Sequence, residues 1–175
     1  KAAPTAEVRI LDSDGSILAP NQVGEITYRS KSLMKGYWNN PEATAKTIQN
    51  GWFFTGDAGY MDEEGYLYIH DRIKDMIVSG GENIYPAEVE NALFDHVAVG
   101  DVAVIGVPDD KWGEAVKAVV VLKPGATATE EDLIAHTRSK IAGYKIPKSI
   151  DFTDTLPRNP TGKLLKRELR KPYWQ

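Results

Sequence analysis

Residues 71–90 read DRIKDMIVSGGENIYPAEVE, and the periodicity of the chain changes across them. The strand-like YLYIH, residues 67 to 70 with Tyr66 ahead of them, ends at the charged DRIKD. An apolar strand MIVSG and a second short strand ENIYP follow, and Pro86 then opens a helix that puts Val89, Ala92 and Leu93 on one face. Working back, EVRILD, the turn SDGS and GEITYRS alternate like a β-meander. Asn40 is placed to cap a short helix begun by Pro41, and GWFFTGDAGYMDEEGYLYIHDR gives two aromatic strands joined at DEEG. Working forward, GDVAVIGVPD and GEAVKAVVVLKP read as buried neighbouring strands. TEEDLIAHTRSKI carries a capping box at Thr129 and Asp132, with Leu133, Ile134, Thr137 and Ile141 along one face, and KSIDFTDTLP supplies a last strand. The expected fold class is α+β: a strand-rich β-subdomain over residues 1–72, then a small domain over residues 73–175 with a mixed or antiparallel sheet flanked by helices.

The 175 residues, 42% hydrophobic and 26% charged, have the composition of a soluble globular protein. With 21 basic against 25 acidic residues the formal net charge is −4, so there is no overall electrostatic drive toward nucleic acid. There is no cysteine, which excludes disulfides, thiolate metal sites and a cysteine nucleophile. No apolar run approaches the ~20 residues of a transmembrane helix, and KAAPTAEVRI lacks the apolar core of a signal peptide. A cytoplasmic protein without a metal centre of its own is the expectation.

Basic character is local. Arg158, Lys163, Lys166, Arg167, Arg170 and Lys171 crowd the end of the chain around the turn PRNPTGK, residues 157–163. A lysine after glycine suggests phosphate, but a P-loop needs a second glycine where Pro157 stands. What remains is a flexible point charge on a tight turn, backed by a helix-like stretch from Leu164 to Arg170. Taken alone, it reads as a solvated surface lysine. Asp57 in TGD likewise reads alone as a turn residue, and Asp71 with Arg72 as a local salt bridge.

In combination, TGD at 55–57, DRIKDMIVSGGENIYPAEVE at 71–90 and PRNPTGK at 157–163 closely resemble the carboxyl-terminal part of the acyl-adenylate-forming enzymes. That superfamily comprises acyl-CoA synthetases, peptide-synthetase adenylation domains and firefly-type luciferases. GEITYRSKSLMKGYWNNPEAT and GWFFTGDAGYMDEEGYLYIHDR extend the resemblance over essentially the whole chain, closest in flavour to fatty-acyl-CoA and 4-coumarate-CoA ligases. The family's Ser/Thr/Gly-rich phosphate loop and its aromatic-glycine-x-threonine-glutamate motif do not occur in the sequence. The resemblance therefore implies a fragment that begins inside the large domain's final β-subdomain and runs through the small mobile domain.

Residue roles follow from the resemblance. Asp57 and Arg72 would hold the ribose hydroxyls of ATP, a task suited to an acceptor-only carboxylate and a planar guanidinium. Lys74 falls at the family's hinge. Lys163 would be the adenylation lysine, a cation at the meeting point of substrate carboxylate and α-phosphate. Gly80 and Gly81 of SGGEN would let the pantetheine of CoA pass close to backbone, a plain hairpin turn being the other reading. Trp112 and Lys145 fall on CoA-contacting surface. The cofactors implied are ATP with Mg2+, bound mainly by the large domain, and CoA. The partners are small molecules, with no nucleic acid. The reaction implied is AMP-forming activation of a carboxylic acid, fatty or aryl, and its transfer to CoA. Two alternatives stay open: a different acceptor, as in peptide synthetases or luciferases, and, for the isolated chain, a non-catalytic module.

Overall fold

Alternation of apolar and polar residues in AEVRIL and GEITYRS produces two antiparallel strands, β1 (Ala6–Leu11) and β2 (Gly24–Ser30), with Ile10 and Ile26 opposite each other and buried. The structure, a computed structural model, describes residue 1 and residues 3–174, and the chain divides into two compact units at the Lys74–Asp75 junction. In the first unit β2 pairs with the long β4 (Trp52–Met61), and β4 also pairs with the short β3 (Ile48–Gln49) and with β5 (Leu67–Arg72), all antiparallel. Before β3, Asn40 caps α1 (Pro41–Thr47) by accepting the Ala43 N–H, as the sequence indicates. The β4–β5 register shifts between Ala58 and Gly59, where a Cβ on Gly59 would lie 2.2 Å from the Tyr68 carbonyl oxygen. Only glycine permits that approach of the two backbones.

The second unit opens with β6 (Ile77–Ser79) and β7 (Glu82–Ile84), then α2 (Pro86–Phe94), whose buried residues Pro86, Val89, Ala92 and Leu93 include all three expected core positions. β8 (Val99–Asp109) and β9 (Gly113–Leu122) form a long hairpin, and β9 is the central strand of its sheet. Next come α3 (Glu130–Arg138), β10 (Ser149–Phe152), which lies parallel to β9, and α4 (Lys166–Arg170). β6 joins β9 at Ser79 and Gly113. The sheet is thus mixed, four strands being linked by antiparallel pairing and the last added parallel, and the architecture is α+β.

Both faces of this sheet are covered, which explains its nearly continuous apolar strands. Val102, Val104, Val116, Ala118 and Val120 point to the face covered by Val89, Leu93 and Leu133. The alternate residues Ala103 and Val119 pack with Leu156, against which Leu164 and Leu169 lie. Burying each such side chain contributes about 1.5–3 kcal/mol, so the layer over 156–169 is held by the sheet rather than by helix propensity. Two boundaries differ from expectation. α3 stops at Arg138, although Ile141 still packs on the core, and the last helix starts at Lys166 because Leu164 bridges back to Arg158. Among the described residues, no helix is long and apolar enough to cross a membrane.

Candidate functional site

In the first unit, β4 carries Asp57 and β5 ends on Arg72, and the sheet register sets the two directly opposite. Arg72 Nε lies 2.9 Å from Asp57 Oδ1, with the side chains 45% and 30% exposed. An ion pair that open to solvent contributes at most about 1 kcal/mol to stability, so its placement matters more than its strength. That placement is built locally. Thr55 Oγ donates to the Ile26 carbonyl at 2.7 Å and accepts the Asp57 N–H at 3.0 Å, while Glu25 Oε1 accepts the Gly56 N–H at 3.0 Å. Gly56 has φ +69°, the left-handed conformation glycine adopts freely. TGD is therefore a locked kink that aims a carboxylate across the sheet edge.

Lys74 lies in a single 3-10 turn, Ile73–Asp75, at the junction between the units. On its far side, Asp75 is anchored within the second unit: Arg170 donates NH1 to Asp75 Oδ1 at 3.0 Å and NH2 to the Asp75 carbonyl at 3.1 Å. Arg72 is tied to its own unit by Asp57, and Asp75 to its own by Arg170. Lys74 sits between two fixed points.

In the second unit, PRNPTGK forms a closed hairpin. Asn159 N–H donates to the Lys163 carbonyl at 2.9 Å and Gly162 N–H to the Asn159 carbonyl at 2.9 Å. The Asn159 side chain fills the loop: its Oδ1 accepts from Thr161 N at 3.1 Å, Thr161 Oγ at 2.8 Å and Lys163 N at 2.8 Å. Arg158 NH1 also donates to the Gly162 carbonyl at 2.8 Å, and Gly162 has φ +85°. Lys163 is exposed, and its backbone is held in place. The neighbouring cations have acidic partners, Arg158 with Asp101, Lys166 with Glu90, Arg170 with Asp75 and Lys171 with Glu168. Among the described residues Lys163 has none.

The SGGEN turn joins β6 to β7 in two residues, with φ +60° at Gly80 and +86° at Gly81. Such a turn requires positive φ at both positions. The glycines nevertheless differ. A Cβ on Gly80 would meet the Trp112 ring at 2.7 Å, whereas a Cβ on Gly81 would have no atom beyond its chain neighbours within 4 Å. Lys145 ends the 3-10 turn Gly143–Lys145, and Glu88 accepts from it at 2.8 and 2.6 Å. Burial pulls the Lys145 ammonium toward a lower pKa, but the Glu88 carboxylate outweighs it and the net shift is upward. Among the described residues, no group of His, Asp and Glu is arranged to hold a metal ion.

Sequence reasoning missed the contacts made by the candidate residues and their neighbours: Asn159 beneath Lys163, Arg170 on Asp75, Trp112 against Gly80, Glu88 on Lys145. Asn159 carried a readable signal, because asparagine two residues before threonine and four before lysine can close an Asx turn. The other three pair residues far apart in sequence, and no spacing rule finds them.

Residues 88–163 match the family described as the AMP-binding enzyme C-terminal domain, with Lys163 the last residue matched. The chain is 52% identical over 167 residues to a long-chain-fatty-acid–CoA ligase of Bacillus subtilis, covering 95% of this chain and 30% of that protein. It is 50% identical over 167 residues to a feruloyl-CoA synthase of an Amycolatopsis species, covering 95% of this chain and 34% of the relative. The crystal structure of ATP-bound MatB from Rhodopseudomonas palustris superposes with a TM-score of 0.90 at 40% identity, covering 98% of this chain and 35% of that one. The chain spans about a third of the length of the curated relatives it matches. In sequence and in fold, this chain belongs to the acyl-adenylate-forming enzymes and carries their AMP-binding C-terminal domain.

Proposed function

We propose that the chain is the carboxyl-terminal part of an AMP-forming acid:CoA ligase, which activates a fatty or aryl carboxylate with MgATP and passes the acyl group to CoA. The observation that carries this reading is Lys163, a lysine without an acidic partner among the described residues, on a hairpin locked by Asn159, amid cations that are each neutralised. A fixed, uncompensated charge is what in-line attack of a carboxylate on an α-phosphate requires, since it stabilises the developing charge without a covalent bond. Asp57 and Arg72 would receive the ribose hydroxyls, the carboxylate as acceptor and the guanidinium as donor. ATP, Mg2+ and CoA are the ligands of this scheme.

Residues 1–72 would be the final subdomain of the large adenylation domain and 73–175 the small domain. Lys74 would be the pivot by which the small domain offers first Lys163 and then the SGGEN turn. Gly80 and Gly81 would line the pantetheine path. Trp112 and Lys145 would contribute CoA-facing surface, Lys145 as a lysine already paired to Glu88. The names of the fatty-acid and feruloyl relatives support CoA as acceptor over a carrier protein or oxygen. The test is to assay the full-length enzyme against a panel of fatty and aryl acids, following pyrophosphate exchange and acyl-CoA separately. Both activities with the same acids are expected. Exchange without any thioester would move the acceptor elsewhere, and neither activity would end the ligase reading.

A further inference from the structure

We propose that Arg170 is a positioning residue for adenylation: by clamping Asp75, the residue that follows Lys74, it fixes the direction of α4 and, through α4, the place of Lys163. This inference rests on the ligase reading above and adds to it a residue that acts through another.

Helix α4 cannot set its own direction. It has five residues, and Leu165 at its start supplies no side-chain cap, so a helix this short depends on what it touches. Leu169 packs with the Ala103, Val119 and Leu156 cluster, and two ion pairs one turn apart do the rest. Lys166 Nζ lies 2.8 Å from Glu90 Oε1, with side chains 12% and 21% exposed, and Arg170 NH1 lies 3.0 Å from Asp75 Oδ1, with side chains 22% and 16% exposed. A spacing of i, i+4 puts both cations on one face of the helix, while Arg167 between them is 87% exposed. Both anchors reach backbone. Glu90 Oε1 also accepts the Val104 N–H of β8 at 2.8 Å, and Arg170 NH2 donates to the Asp75 carbonyl at 3.1 Å, so the guanidinium grips the main chain of Asp75 as well as its carboxylate.

Lys163 moves with α4. The Leu165 N–H donates to the Pro157 carbonyl at 2.8 Å and Leu164 bridges to Arg158, so the start of α4 and the hairpin that carries Lys163 are one piece. A tilt of α4 therefore swings the lysine, and a misplacement of about 1 Å costs on the order of 100-fold in an aligned reaction. The turn between β6 and β7 is held separately, by the pairing of Ser79 with Gly113 in the sheet. Loss of the Arg170 clamp should thus fall on one half-reaction and not on the other.

The experiment compares the two half-reactions in the full-length ligase. Arg170→Met is expected to lower kcat for adenylation by about 10- to 100-fold with KM for ATP within about threefold, and to leave thioester formation from preformed acyl-adenylate within about threefold. Arg170→Lys, which restores one charge contact, should recover part of the loss. Removing one partner of a partly buried pair leaves the other charge unpaired, so the double variant Asp75→Asn with Arg170→Met, which removes both charges, should keep the same selective defect. In a Lys163→Ala background, Arg170→Met should slow adenylation by no more than about twofold further, because a residue that acts through Lys163 has nothing left to place. An equal fall in both half-reactions, or a full penalty in the Lys163→Ala background, would each overturn the proposal. The second measurement needs no turnover: amide hydrogen exchange on the same full-length protein. Arg170→Met should speed exchange over residues 159–165 by on the order of tenfold while residues 115–121 of β9 keep their protection. Unaltered exchange over 159–165 would show that Leu164 and Leu169 hold the layer without Arg170 and would refute the positioning role. A wild-type enzyme without pyrophosphate exchange would sink the ligase reading alone, and the hydrogen-exchange data would still decide whether Arg170 holds the Lys163 hairpin.

Discussion

A lysine becomes useful when its backbone is fixed and its charge is left uncompensated, and Lys163 meets both conditions. Lys163→Ala in the full-length enzyme is expected to slow adenylation by about 10²–10³-fold, the usual loss when one transition-state charge contact goes. Thioester formation from synthetic acyl-adenylate should be spared, and an equal loss in both assays would make Lys163 structural. Asn159→Ala tests the support. It deletes the acceptor for Thr161 N, Thr161 Oγ and Lys163 N while leaving the charge in place. Misplacement of that kind is expected to cost about 10- to 100-fold in adenylation, less than loss of the lysine itself; a variant with normal exchange kinetics would show that the hairpin holds without its asparagine. At this scale the motifs single out Lys163, Asp57 and Arg72 as candidates, and the structure sets Asp57 against Arg72 and Lys163 on a locked turn. The sequence did not show the side chains that lie against Lys163 and Gly80, because a loop-filling amide and an indole from a distant strand end are facts of three-dimensional packing.

At the scale of the element, the start of α3 was legible to the residue, since its capping box is a local signal, whereas its end at Arg138 came three residues before the expected Ile141. Thr129 Oγ accepts the Asp132 N–H at 3.2 Å, and Asp132 Oδ2 accepts the Thr129 N–H at 3.0 Å. Thr129→Ala should cost about 1 kcal/mol and lower the melting temperature of the second unit by roughly 4–8 °C; no shift would mean that packing of Leu133 alone sets the helix. Illegible was the contact α3 makes with the end of α2, where His136 meets His96 edge to face at 5.0 Å and Lys140 pairs with Asp95. Burial first, then Lys140 and His96, hold the His136 imidazole below its ordinary pKa, against Asp95 and the Ala92 carbonyl, and its Nε2 is buried without a partner. A depressed folded-state pKa means that the unfolded chain takes the proton first. The stabilisation is therefore complete above about pH 6.5 and is lost as pH falls through the folded value. Thermal melts at pH 7.5 and 5.5 should show a lower midpoint at the acidic pH, and His136→Phe should shrink that difference. A variant as acid-sensitive as the wild type would place the titration elsewhere.

At the scale of the whole molecule, the sequence switches hydrophobic periodicity at DRIKD, and the two compact units divide within that stretch, between Lys74 and Asp75. It could not show how sharply the junction is bounded. Asp57 holds Arg72 in one unit and Arg170 holds Asp75 in the other, so only the turn containing Lys74 separates two anchored residues. The same scale sets what the 175-residue chain can do by itself. It has the Asp57–Arg72 ion pair and a lysine on a fixed turn, but its sequence contains no Ser/Thr/Gly-rich phosphate loop to align the triphosphate. Much of the catalytic gain in adenylation comes from holding carboxylate and α-phosphate in line, worth up to about 7–11 kcal/mol when complete, and a lone lysine supplies charge without alignment. The purified chain is therefore expected to show no acid-dependent ATP–pyrophosphate exchange, even at high protein concentration, while the full-length enzyme shows it. Exchange clearly above a blank, in material free of host ligase and abolished by Lys163→Ala, would mean that this chain aligns both substrates unaided, and the division of labour between the phosphate loop and Lys163 would have to be abandoned.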